Sequence, residues 1–284
     1  MARRTGVGYL RLMPRTAWLA IGLTIVALGG TDSVAAKRSA RRSMTTLFGG
    51  AKIVDLTHIL DASTIYWPTE DGFKLESEHH GLTEGGYFYA ANKFCTAEHG
   101  GTHMDAPQHF SERGLTADEV SVAAGIGPAA VVDVSAKAAA DRDYRLTVAD
   151  LEAWEAANGR LPDGAILLLR TGWGRFWPDK ELYLGTKIHG DVTNLHFPSF
   201  SKESAEWLTH ERNVKAIGID TASIDYGPSR DFVVHRIWTA ANKPAFENLA
   251  NLERLPATGA TVIALPMKIG GGSGAPARVI AVVP

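Results

Sequence analysis

From residue 50 onward, short apolar runs broken by glycine and proline set the rhythm of the chain. The runs "AKIVDLTHIL", "AAVVDVSA", "AILLLRTG", "VKAIGIDTASID", "ATVIALPMKI" and "ARVIAVVP" are rich in Val, Ile and Leu. Short runs of this composition read as β-strands, several of them buried on both faces. Between them lie stretches with helical starts and stops. "TVADLEAWEAANG" opens on Thr147, whose hydroxyl can accept from a free amide of the first turn, and ends at Gly159. "SKESAEWLTHERN" opens on Ser201 in the same way, and "FENLANLERLP" predicts a short helix or turn ended by Pro256. Strands alternating with helices predict a single α/β domain.

The first thirty-six residues have another character. Arg3, Arg4, Arg11 and Arg15 precede the apolar run "AWLAIGLTIVALGG", and "SVAAK" then places small residues around Ala36. That order is the order of a secretory signal peptide. Its fourteen apolar residues are short for a membrane span, which needs roughly 20. The expected division is therefore a signal peptide over 1–36 and a catalytic domain over 37–284, exported to the periplasm or the medium with no stable membrane insertion after cleavage.

Composition narrows the partners. A formal net charge of −2 over 284 residues, 21% of them charged, leaves no basic footprint for nucleic acid, and a small-molecule substrate fits better. Cys95 is the only cysteine, so no internal disulfide can form, and it is expected to pack as a small buried residue rather than act as ligand or nucleophile.

The densest chemistry lies in "AEHGGTHMDAPQHF", residues 97–110. In a helix His99 and His103 would share a face while Asp105 pointed elsewhere, and Gly100, Gly101 and Pro107 oppose a helix there. In extended chain His99, His103 and Asp105 project to one side, and His109 follows beyond the turn at Pro107. Gly100 and Gly101 are expected to keep Cβ atoms away from a bound ion. Imidazole nitrogens with a carboxylate suit Zn²⁺ or Mn²⁺ better than Ca²⁺ or Mg²⁺. A lone histidine would favour a solvated surface loop, but three of one parity with an aspartate favour a metal.

"HGGTHMDAPQH" matches, at every fixed position, the H-x-G-T-H-x-D-x-P-x-H signature of the cyclase family of metal-dependent hydrolases. That family includes bacterial kynurenine formamidases and isatin hydrolases. The chain resembles it well beyond the signature, from "KIVDLTHIL" through "IYWP" and "GIDTASIDYGPSRDFVVHR" to "FENLANLERLP" and "GGGSGAPAR". The resemblance implies a swivelling β/β/α fold, a mixed sheet with flanking helices, and a homodimer or higher homo-oligomer. It implies one or two ions of zinc or manganese, with His99, His103 and Asp105 as first-site ligands. Asp105 would bridge to a second ion held by His235 and Glu247, and His109 would be the catalytic histidine. Without the resemblance, His235 reads as a partly buried histidine and Glu247 as a helix-start carboxylate.

A bound divalent ion lowers the pKa of its water from about 15.7 toward about 7 and polarises a carbonyl, which suits amide hydrolysis. His109 would accept the water's proton and return it to the leaving nitrogen, as a side chain that titrates near neutrality. The chain has no G-x-S-x-G elbow for a serine nucleophile, and the glycines of 270–274 lack the Gly-Lys-Ser/Thr ending of a phosphate loop. Tyr66, Trp67, Phe88 and Phe94 flank the signature region and are expected to form an aromatic wall that binds a flat ring. An isatin-like lactam is the leading substrate class and an N-formyl aryl amide the second, because an exported protein fits poorly with cytoplasmic tryptophan breakdown. A non-catalytic metal or aromatic-ligand binder is the remaining reading; it would not need His109.

Overall fold

All six apolar runs form strands. In the computed structural model, which describes residues 49–284, the strands in chain order are β1 (Lys52–Asp55), β2 (Lys74–Leu82), β3 (Phe88–Cys95), β4 (His103–Asp105), β5 (Ile126–Asp133) and β6 (Arg145–Leu146). Then follow β7 (Ile166–Arg170), β8 (Ser199–Phe200), β9 (Ala216–Ile219), β10 (Ala245–Glu247), β11 (Thr261–Pro266) and β12 (Gly274–Val283). The helices are α1 (Ser135–Ala140), α2 (Val148–Asn158), α3 (Lys180–Leu184), α4 (Lys202–His210) and α5 (Val233–Ala240). The signal segment expected over 1–36 lies outside the described residues. Among the described residues no helix is long and apolar enough to cross a membrane.

Eight strands form one sheet in the order β1-β12-β11-β5-β7-β9-β10-β4, and β4 pairs with β12 as well, so the sheet closes on itself. The arc β5-β7-β9-β10 is parallel, while β4, β11, β12 and β1 join antiparallel. β12 pairs with β1, β11 and β4 along its length. Alternation along the central strands sorts their side chains onto two faces. Ile166 and Leu168 of β7 join Met104, Val131 and Phe246 in one core. Leu167 and Leu169 face the other way and pack with Leu151 and Trp154 of α2, Leu208 of α4 and Trp238 of α5.

The caps read from the sequence are present. The Thr147 hydroxyl accepts from the Asp150 amide and the Asp150 carboxylate accepts from the Thr147 amide, a reciprocal capping box. Asp150 also accepts from the Tyr144 hydroxyl at 2.6 Å and pairs with Lys137. Ser201 and Ser204 cap α4 in the same reciprocal way.

Two expectations are corrected. β2 and β3 form a separate two-stranded ribbon, with nearly every residue exposed because, among the described residues, neither a third strand nor a helix covers it. Cys95, at its end, is therefore exposed rather than packed. "FENLANLERLP" begins as β10, where pairing to β4 and β9 overrides any helical tendency, and only Leu252–Arg254 make a helical turn.

Candidate metal centre and active site

β4 lies between two partners that fix its register. Glu247 of β10 stands opposite His103, and Gly274 of β12 stands opposite Asp105. His103 and Asp105, two residues apart, project to one face as period two requires. His99 sits in the turn before β4, and His109 ends the helical turn Pro107–His109. His235 comes from the first turns of α5. The six side chains thus arrive from five segments, and His103, Asp105, His235 and Glu247 are each less than 5% exposed.

The Asp105 carboxylate stands at the centre. Its Oδ1 is 2.7 Å from His99 Nδ1 and 3.2 Å from His103 Nε2, and its Oδ2 is 3.4 Å from His235 Nε2. Glu247 closes the group, with Oε1 3.3 Å from His235 Nε2 and Oε2 3.5 Å from His103 Nε2. Two donor sets result, His99/His103/Asp105 and Asp105/His235/Glu247, sharing the aspartate.

The nitrogens that face away are anchored. His103 Nδ1 donates to the Gly101 carbonyl at 2.9 Å, which leaves the Nε2 lone pair aimed into the cluster. His235 Nδ1 is 2.8 Å from Asp225 Oδ2, an oxygen that also accepts from the His235 amide. His103 Nε2 and Asp105 Oδ2 are buried with no hydrogen-bond partner. An orphaned buried polar atom costs roughly 1–3 kcal/mol, and a cation between the two atoms would remove that cost. The residues fit a divalent metal.

Charge in the cluster is strongly coupled. Burial opposes protonation of His103, but Asp105 and Glu247 outweigh it and raise the ring to about 9. Burial likewise opposes charge on Asp105, yet the surrounding His103, His235 and His99 rings hold it well below the usual carboxylate range. Burial and the Asp105 charge push Glu247 up. Metal binding would displace the imidazole protons, since ligands must be deprotonated.

His109 makes none of these contacts. Its ring stacks on His99, centroids 3.7 Å apart, and meets His235 edge-on at 5.7 Å. Burial pushes it down to about 3, against the pull of Asp105. Burial thus works against the expected titration near neutrality and favours the neutral ring.

Above the cluster opens a cavity of about 510 Å³ with Tyr66, Trp67, Phe110 and Phe232 in its walls. Phe110 lies 5.3 Å from Phe232 and 4.6 Å from the His235 ring, and Trp67 lies 6.1 Å from Phe232. Tyr66 and Trp67 are where the sequence placed them. Phe88 and Phe94 are not: both lie on the β2–β3 ribbon, 60% and 52% exposed, outside the cavity. Sequence reasoning missed Phe232, Asp225 and Ser273. Their signal was position within the runs resembling the family; Phe232 further adopts a left-handed backbone (φ 47°) that nothing in its residue type foretells.

The glycines of the signature have a different use from the one expected. A methyl on Gly100 would run into the Tyr66 ring, and Gly101 adopts φ +57° beside Thr64. They make room for the cavity wall and the turn, rather than for an ion.

A closed mixed sheet with a buried His/Asp/Glu cluster at the floor of an aromatic cavity places the protein in the class of metal-dependent hydrolases. The Cyclase family profile matches residues 54–226. An isatin hydrolase from Roseibium aggregatum is 34% identical, over 84% of this chain and 94% of its own length. A kynurenine formamidase from Sphingopyxis alaskensis is 30% identical, over 81% and 97%. The solved structure of isatin hydrolase A from Ralstonia solanacearum superposes with a TM-score of 0.76 at 34% identity, covering 92% of this chain and 100% of that one. The chain belongs to the cyclase family.

Proposed function

We propose that the protein hydrolyses a cyclic or aryl amide, an isatin-like lactam first, using one or two Mn²⁺ or Zn²⁺ ions. The observation that carries this reading is the two donor sets sharing Asp105 on the floor of an aromatic-walled cavity. Similarity to isatin hydrolases supports the lactam; an N-formyl aryl amide is the second reading, supported by the formamidase relatives.

His99, His103 and Asp105 would hold a first ion, and Asp105, His235 and Glu247 a second. A bound ion supplies Lewis acidity toward the carbonyl and makes an attacking water acidic enough to react near neutral pH. The chain supplies the rest. Tyr66, Trp67, Phe110 and Phe232 would sandwich the aromatic ring and exclude bulk water, so that the carbonyl faces the cluster. Neutral His109, at the edge of that floor, accepts the water's proton on a ring nitrogen and passes it to the leaving amide nitrogen. Buried Asp225 keeps the Nδ1 proton of His235 in place throughout.

The segment over 1–36 supports export, so an extracytoplasmic substrate. The ribbon supports a homodimer or larger assembly. Its Leu75–Phe94 and Leu82–Phe88 pairs share one exposed face, while Glu76 and Lys93 face the other way. An apolar face of that kind on an isolated hairpin is a surface for a second copy.

The deciding experiment measures metal content of the purified protein and then turnover of a panel of lactams, N-formyl arylamines and lactones, before and after chelation. Chelator-sensitive lactam opening is the expected result. Binding of metal without turnover of any member would overturn the enzyme reading.

A further inference from the structure

His103 and His235 are each anchored by a direct acceptor, a carbonyl and a carboxylate. His99 is anchored differently. Its Nδ1 faces Asp105, and its Nε2 lies 3.0 Å from the Ser273 hydroxyl. That hydroxyl in turn donates to Glu98 Oε2 at 2.7 Å, and the Ser273 amide donates to the same oxygen at 2.9 Å.

The direction of this chain is forced. A carboxylate oxygen can only accept, so the single Ser273 hydrogen goes to Glu98. The hydroxyl oxygen is then left to accept, and the hydrogen it accepts must sit on His99 Nε2. With the proton on Nε2, the lone pair of the neutral ring is on Nδ1, the atom facing Asp105 and the first donor set. The wrong tautomer would place two lone pairs against each other at Ser273.

The backbone is built for these contacts. A Cβ on Gly272 would lie 2.8 Å from Glu98 Oε1, and one on Gly274 would run into the His99 ring. The glycines on either side of Ser273 thus let its strand come down onto both partners. The Ser273 carbonyl accepts from the Ala106 amide at 2.9 Å, just after Asp105, which ties the serine to the ligand strand.

We infer that Glu98 and Ser273 are positioning residues that set the tautomer and orientation of His99 and thereby the affinity of the first metal site. This rests on the metal-dependent reading above. Groups behind a metal-ligating histidine commonly contribute about 10–100-fold to metal affinity.

The test is titration of the full chain with Zn²⁺ against a chromophoric chelator, comparing wild type, Ser273→Ala and Ser273→Thr, with thermal unfolding to check that each variant folds. Ser273→Ala is expected to bind the first ion about 10–100-fold more weakly, and Ser273→Thr, which keeps the hydroxyl, to restore most of the affinity. Wild-type affinity in Ser273→Ala, or equal weakness in both variants, would overturn the relay while leaving the hydrolase reading intact. A wild-type protein that takes up no Zn²⁺ or Mn²⁺ would overturn both.

Discussion

The ring of Tyr66 lies directly over Gly100, in the space a Cβ would fill, and the two residues are joined by an isolated antiparallel bridge. The cavity wall and the ligand loop are therefore packed as one piece. Gly100→Ala should push the ring aside. Overpacking of this kind costs about 1–3 kcal/mol, so Tm should fall by several degrees. KM for an aromatic substrate should rise while metal content stays at the wild-type value; an unchanged KM would mean that Tyr66 does not touch substrate.

The two donor sets make different demands. His103→Ala should lose most bound metal, by at least the roughly 100-fold ceiling seen for groups that only support a ligand, with the far-ultraviolet dichroism of the fold retained. If two ions bind, His235→Ala should lose one equivalent and keep the other; if one ion binds, it should alter turnover with little change in stoichiometry. Elemental analysis after dialysis reads both, and full occupancy in His103→Ala would remove it from the ligand set.

His109 separates catalysis from storage. His109→Ala should keep its metal and lose turnover by about 10²–10⁴-fold, the usual contribution of a positioned proton-transfer group. Since burial holds the ring at about 3, its own titration should contribute no limb to the wild-type rate profile between pH 5 and 8. Metal-loaded His109→Ala with wild-type turnover would make the residue structural.

How much of this was legible beforehand depends on whether the signal was local. The strands and the caps at Thr147 and Ser201 follow from residue type and spacing, and the shared face of His103 and Asp105 follows from period two, whereas His99 reaches them from a bend in which Gly101 leaves the extended chain at φ +57°. Glu247 is different. Alone it looks like a helix-start carboxylate, and only pairing of β10 with β4 sets it opposite His103. Phe88 and Phe94 failed for the same reason in reverse: nearness in sequence to the signature did not bring them near in space, because the ribbon leads away from the sheet. Phe110 and Phe232, far apart in sequence, take that place.

Acid stability offers a test away from the active site. Burial alone would raise Asp150, but its contacts with Lys137, Tyr144 and Thr147 hold it at about 2, below the ordinary 3.8. A carboxylate depressed by folding stabilises above its unfolded pKa and loses that contribution as pH falls through the folded value. Asp150→Ala should therefore destabilise by about 1–2 kcal/mol near neutrality. The gap from wild type in urea unfolding should be constant above pH 4 and narrow toward pH 2. A gap that persists undiminished below pH 2 would show that the cap acts through packing rather than charge.

The pairing of β12 with β4 has a consequence for how the site comes into being. The strand that supplies His103 and Asp105 is made early in the chain, yet its second edge is completed only by Gly274–Pro276. Contacts so distant in sequence form slowly, because a long loop must be closed before any reward is collected. Until that last strand docks, the ring of strands cannot close around the histidines. The order of events, ion first or closure first, would then be set by the metal content of the compartment in which the last strand docks.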